Sequence, residues 1–323
     1  MPDVPEVGTL RPVKGLVRDV FVELDTRGSA AAADPLPTGI AQLDELIGGG
    51  LRPRDLIVVA GPPGTGKTTV CLTIARNVAV AGRRVAYLAP GTDARETVKR
   101  LLCLESGVAG ESVADPTRLT QEDWTKLFYA AERMSNTSLA FCDVPALACD
   151  QVLVVAASGA HGGSDFVVVD SVDRLRPVAA RRTTVAERVD SFAGLKTVAR
   201  RLHTPVLVVA EVRRGEVLAT GGSALGKALD QPWSGAPFAD LLLLLRRRPR
   251  RRSGGGGPRV ELAVISRDTA VLGSITFDLR GGAGSLEVVE VRCGSAAAPV
   301  RPAARSPLRV RPRVRKDRAA IRR

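Results

Sequence analysis

The chain offers no apolar run approaching the roughly 20 residues that a bilayer-spanning helix needs, and its opening, MPDVPEVGTLRPVKG, lacks the apolar stretch of a secretory signal. Both absences point to a cytoplasmic protein with no membrane partner. Metal-site residues are scarce too. The five cysteines (Cys71, Cys103, Cys142, Cys149, Cys293) are scattered without a C-x-x-C pair, and only two histidines, His161 and His203, stand beside them. That spacing argues against a zinc site and for reduced thiols packed in a core. No internal repeat interrupts the pattern.

What is present suits one α/β domain. A chain of 323 residues with 45% hydrophobic content can bury a single sizeable core and still leave residues for tails. The net charge of +13 is local: residues 294–323 hold ten Lys/Arg against one Asp, and RRRPRRR at 246–252 adds six arginines, leaving a body close to neutral. Two cationic segments suit a polyanion partner, and an Arg-biased sequence also produces solvated tails with no partner; composition leaves both open. The Ala/Pro/Arg composition of 294–323 supports no packed core, so this tail is expected to be disordered.

Three regions follow. Residues 1–35 contain VKGLVRDVFVELDTR (13–27), which puts Leu16, Val17, Val20, Phe21 and Leu24 on one helical stripe ahead of the linker GSAAAADPLP. A lone amphipathic helix has no core of its own, so it needs a docking surface. Residues 36–293 alternate helical patterns with short apolar runs: DLIVVA (55–60), RVAYLA (84–89), SLAFCD (138–143), FVVVD (166–170), PVLVVA (205–210) and DLLLLL (240–245). Continuous rather than alternating apolar strands indicate a parallel sheet covered on both faces. VELAVISR (260–267) and GSITFDL (273–279) read as a hairpin extending it.

Between the first of these strands and the next helix, GPPGTGKTT supplies Gly61, Pro62, Pro63, Gly64, Thr65, Gly66, Lys67, Thr68 and Thr69, matching G-x-x-x-x-G-K-[ST] at the required spacing. Such a loop curls its N–H groups around phosphates at the positive end of a helix, with Lys67 on the β/γ oxygens and Thr68 on Mg²⁺. The expected ligands are ATP and Mg²⁺. Asp170, closing FVVVD, stands where a second Mg²⁺-organising acid is expected.

PTGIAQLDELIGGGLRPRDLIVVAGPPGTGKTT, VKRLLCLESGV, LTQEDWTKLFYAAERMSNTSLAFCDVP, FVVVDSVDRL and GLKTVARRLHTPVLVVAEVRRG, in that order, resemble the C-terminal ATPase domain of DnaB-type replicative DNA helicases over about residues 13–280. The resemblance implies a RecA-like P-loop NTPase, a hexameric ring as the homo-oligomer, single-stranded DNA as partner, and replication or repair proteins beside it. It also makes stretch 13–27 the linker helix that docks on a neighbouring subunit, and the loops RPVAARRTT (176–184) and 213–227 the DNA contacts. The family's N-terminal collar has no counterpart in the residues before the linker, so an ATPase portion without the collar is expected.

The resemblance also implies an altered active site. Counting back from KRLL puts Gly91 at the family's catalytic glutamate, and glycine cannot polarise the attacking water. Asp93 is either a displaced base or the cap of the next helix. Glu211 replaces a glutamine that senses the γ-phosphate; it either repels nucleotide or serves as the base. Arg267, in ISRDTAVLG, is the nearest candidate for the trans-acting arginine finger, one residue out of register. Three functional classes remain: a DnaB-like ATPase on single-stranded DNA with weakened hydrolysis; a KaiC- or RecA-type regulatory module that oligomerises without translocating; and a small-molecule kinase, disfavoured by the missing lid and acceptor signature.

Overall fold

The computed structural model describes residues 34–158, 163–176, 184–212, 237–248, 259–266, 271–280 and 285–293, together with Val13 and Val17. In chain order the elements are α1 (Ala41–Ile47), β1 (Leu56–Gly61), α2 (Lys67–Val80), β2 (Val85–Leu88), α3 (Ala94–Ser106), α4 (Gly110–Ala114), α5 (Gln121–Ser135) and β3 (Leu139–Cys142). There follow β4 (Leu147–Ala148), α6 (Cys149–Ala157), β5 (Phe166–Val169), β6 (Leu175–Arg176), α7 (Thr184–Leu202), β7 (Val206–Glu211), β8 (Leu241–Arg247), β9 (Arg259–Ser266), β10 (Val271–Arg280) and β11 (Ser285–Cys293).

The main sheet runs β11-β10-β9-β8-β1-β7-β5-β2-β3. From β8 to β3 all pairings are parallel, and β8 to β11 extend the sheet antiparallel. The six apolar runs and the hairpin of the sequence reading are all strands of this sheet. β11 is an addition: its SLEVVEVRC alternates apolar and polar residues except at Val288-Val289, where the pairing with β10 shifts register.

Side-chain alternation divides the core in two. On β1, Ile57 and Val59 pack with Val70, Leu72 and Ile74 of α2 on one face, whereas Leu56, Val58 and Ala60 pack with Val152 of α6 and Phe192 and Leu195 of α7 on the other. Every strand from β8 to β2 therefore needs apolar residues at consecutive positions, which is why the runs are continuous. This is the RecA-like α/β arrangement, a mostly parallel sheet with helices on both faces. Because the strands are parallel, the carboxyl ends of β1, β2, β5, β7 and β8 share one edge, where open α/β sheets place their ligands.

Two details go beyond the sequence. Within RRRPRRR, of which 249–252 lie outside the described residues, the strand pleat sends Arg246 and Arg248 to one side, where both bond Glu261 Oε2 at 2.8 and 2.9 Å. Burial pushes the Glu261 carboxyl up, and the bonds from Arg248 and Arg246 more than offset it, leaving its pKa at about 2. These arginines are structural. Cys293 is also exposed, on β11, rather than in the core that holds Cys71 and Cys103. The basic tail 294–323, Arg267, residues 177–183 and 213–227 of the expected DNA loops, and most of helix 13–27 lie outside the described residues. No described helix is long and apolar enough to cross a membrane.

Candidate nucleotide site

The phosphate loop is held by its own side chains. Gly66 caps α2 with φ +89°, a left-handed conformation that favours glycine, and the chain then turns directly into the helix. The Lys67 amine is buried and donates to the carbonyls of Gly61 and Pro62, each at 2.9 Å, while Thr65 Oγ1 donates to Pro62 O at 2.8 Å. Burial lowers the Lys67 pKa, opposed by the negative charges of Glu211, Asp170 and Asp173. From the β8 side, Arg247 donates to Gly64 O through Nε (3.1 Å) and Nη2 (2.6 Å). The loop is thus fixed from beneath and from its flank.

A cavity of about 310 Å³ opens over it, within the size range of small-molecule sites. Pro63, Gly64, Lys67 and Thr68 form one wall; Asp170, Ser171 and Glu211 lie at the strand ends; Thr92, Arg100 and Arg174 form the facing wall. Lys67, Thr68, Asp170 and Glu211 of the sequence reading therefore meet in one place. Tyr87 is fully buried beneath, and its hydroxyl donates to Asp170 Oδ2 at 3.0 Å, fixing the carboxylate at the end of β5. Burial, and then the charge of Asp170, pushes the Tyr87 hydroxyl well above its ordinary range, so it stays a donor.

The residues present fit Mg²⁺ held together with a phosphate chain. That ion is commonly bound through one or two carboxylates plus substrate phosphates and water, and here one hydroxyl, of Thr68, and one oriented carboxylate, of Asp170, face the same cavity. Among the described residues no cluster of three or more His, Cys, Asp or Glu side chains could hold a metal without such help.

Asp93 is occupied elsewhere. It is the N-cap of α3, its Oδ1 accepting from the Arg95 N–H at 2.8 Å, and it is not among the residues lining the cavity. Of the two roles open to it in the sequence, the structure uses the cap. Gly91, two residues earlier, has φ +66°. A Cβ there would lie 3.3 Å from Pro145 O and 3.4 Å from Arg174 Nη1.

Behind Asp170 a short 3₁₀ turn, Val172–Arg174, sends its last two side chains in different directions. Asp173 accepts from the Glu211 N–H at 3.0 Å and pairs with Arg188 of α7, also at 3.0 Å. Arg174 reaches the turn after β2, its Nη1 donating to Gly91 O (2.6 Å), Thr92 Oγ1 (3.0 Å) and Pro90 O (3.4 Å). The sequence alone does not single out Arg100, Arg174 or Arg247: Arg100 lies within KRLL, whose spacing could have pointed to it, and the contacts of Arg174 and Arg247 span 82 residues or more of chain and carry no local signal.

The family model for the DnaB-like helicase C-terminal domain matches residues 35–218. The replicative DNA helicase DnaC of Bacillus subtilis is 30% identical over 183 residues, covering 56% of this chain and 40% of that helicase. The DNA repair protein RadA of Mycobacterium tuberculosis is 30% identical over 198 residues, covering 57% of this chain and 36% of RadA. Among solved structures, an ATPase domain superposes with a TM-score of 0.73 at 20% identity, covering 87% of this chain and all of that domain. A DnaB-like replicative helicase described with its primase interactions gives 0.71 at 20% identity, covering 88% of this chain and 68% of the helicase. These two likenesses establish the fold. The chain spans about two fifths of the length of the curated helicases it matches first.

Proposed function

The chain belongs to the family of DnaB-like helicase C-terminal domains, and from that premise we propose that it is a cytoplasmic, ATP-binding, helicase-type ATPase that acts on single-stranded DNA as a homo-oligomer, with hydrolysis weakened at Gly91. The observation that carries this reading is the convergence of Lys67, Thr68, Asp170 and Glu211 on one cavity above a phosphate loop. Lys67 neutralises β- and γ-phosphate oxygens, and the N–H groups at the start of α2 cradle them. Thr68 and Asp170 would hold Mg²⁺, which when bound neutralises phosphate charge. Position 91 carries no side chain and Asp93 is committed to its cap, which leaves Glu211 as the carboxylate in the cavity besides Asp170.

Oligomer formation draws support from a different surface. The LTQEDW segment starts α5 with a capping box, Thr120 Oγ1 accepting from the Asp123 N–H at 3.1 Å and Asp123 Oδ2 from the Thr120 N–H at 3.0 Å. From that start α5 presents Trp124, Phe128 and Tyr129 at 43, 69 and 70% exposure, with the rings of Trp124 and Phe128 6.2 Å apart. Exposed aromatic side chains gathered on one helix mark an interaction site. The apolar stripe of helix 13–27 from a neighbouring copy is the proposed cover; Val17 of that stripe is helical and exposed, as is Val13 at the start of the stretch. Phe128→Lys, or removal of residues 1–30, should yield a nucleotide-binding monomer in sedimentation velocity. Rings that persist in both variants would place the interface elsewhere.

The ATPase rate of the full chain with and without single-stranded DNA tests the functional reading. Stimulation is expected, with DNA affinity falling with salt at a log–log slope of about −0.7 per phosphate contact. A second reading, a RecA-type regulatory module that oligomerises without translocating, is favoured by the missing side chain at Gly91. It predicts no stimulation, and that result would replace the first reading.

A further inference from the structure

Arg174 has a place that neither the family reading nor the phosphate loop accounts for. It faces the loop across the cavity, together with Arg100 and Thr92, next to the strand-end residues Asp170, Ser171 and Glu211. All three hydrogen bonds of its Nη1 run to uncharged oxygens, those of Pro90, Gly91 and Thr92. The neighbouring carboxylate, Asp173, is instead committed to Arg188 and to the Glu211 N–H. Among the described residues, no carboxylate forms an ion pair with Arg174.

A guanidinium is always charged and presents a fork that fits phosphate, so an anion adds Coulomb attraction and two parallel bonds to what a neutral oxygen offers. Carbonyl and hydroxyl oxygens are therefore the weaker claim on Arg174, and its exposed position leaves it able to turn to an anion entering the cavity. The residue at position 91 decides whether anything competes. A side chain there would start 3.4 Å from Arg174 Nη1, so a carboxylate at 91 would capture the arginine as an ion pair. With glycine, this part of the rim offers a cation rather than a carboxylate.

Resting on the nucleotide reading above, we propose that Arg174 reads the terminal phosphate of a nucleoside triphosphate from within its own subunit, so that the site discriminates triphosphate from diphosphate. The loop takes the β-phosphate common to both, and Lys67 reaches from it to the γ-phosphate on that side. The facing wall meets only the phosphate that extends past the β-phosphate, toward Asp170 and Glu211. Arg174 is thus a specificity-determining residue, and Gly91 is what leaves it free for the substrate.

The test titrates the full chain by calorimetry, in Mg²⁺, with ADP and with a non-hydrolysable ATP analogue carrying an imido bridge. Arg174→Gln removes the charge but keeps an N–H donor for Gly91 O and Thr92 Oγ1, so the turn stays tied. Its affinity for the triphosphate analogue is expected to fall about 10-fold or more, as loss of a charged hydrogen bond implies, while ADP affinity stays within about twofold. Arg174→Ala should do the same, and retained ADP binding certifies its fold. Equal losses for both nucleotides, or no loss for the triphosphate, would overturn the proposal. Wild-type protein that binds neither nucleotide would overturn the nucleotide reading beneath it, a result separable from either of those.

Discussion

Replacing Lys67 by alanine is expected to abolish measurable ATP binding, a loss of at least about 100-fold. Lys67 supplies a cation fixed at the base of the loop, and hydrogen bonds between charged groups contribute about 1.5–3 kcal/mol each. A second effect acts in the same direction. The Gly61 and Pro62 carbonyls both accept from its amine, so alanine removes a donor they share, and the loop loses the brace that sets its curl. Because the lysine reaches the β-phosphate as well as the γ-phosphate, ADP binding should be lost along with ATP binding, in contrast to the selective loss at Arg174. Calorimetric titration decides it. Affinity within about threefold of wild type would discard the site assignment.

Turnover should be slow, and restoring a glutamate at position 91 should recover little of it. General-base catalysis contributes about 10²–10⁴-fold when a carboxylate is placed well, so the wild-type chain is expected to work well below about 1 s⁻¹ even with DNA present. From the sequence alone, Gly91→Glu would be expected to raise the rate. The structure sets two obstacles against that gain. At φ +66° a residue with a Cβ is strained by roughly 1–2 kcal/mol, and the new carboxylate would meet Arg174 before it met water. Gly91→Glu alone should therefore gain less than about 10-fold, and the double variant with Arg174→Gln should gain more. Steady-state phosphate release measures all three proteins. A wild-type rate at or above about 1 s⁻¹, abolished by Glu211→Gln, would mean that Glu211 is the base and that the enzyme is not impaired.

Much of this architecture was open to reading without coordinates, because its causes are local. Strands buried on both faces must be apolar at consecutive positions, and FVVVD or DLLLLL declares that burial in five or six letters. The phosphate loop declares itself through glycine spacing. Asp93 sat at the point where local logic runs out: a carboxylate at a helix start is a good cap and a conceivable base, and only the bond to the Arg95 N–H separates the two. Arg174 and Arg247 lay beyond reach, since each acts on backbone oxygens brought near by the order of strands in the sheet. Counting charge along the arginine run at 246–252 could not show how the pleat divides its described part. Period two splits Arg246 and Arg248 from Arg247, and Glu261 and the phosphate loop claim them separately.

The two apolar clusters on either side of the sheet include none of Gly91, Asp93, Arg174 or Glu211. At Glu211, exposed and away from caps and left-handed turns, a change usually alters stability by no more than about 0.5 kcal/mol, whereas Gly91 at φ +66° and Asp93 at the cap of α3 are tied to the fold by roughly 1–2 and 0.5–2 kcal/mol. Lys67 differs, being buried and tied into the loop. A lineage carrying this fold can therefore drift at Glu211 while its copies still fold, whereas drift at the phosphate grip is exposed to selection on the fold itself. The sheet would preserve the likeness of such a chain after its reaction chemistry had changed.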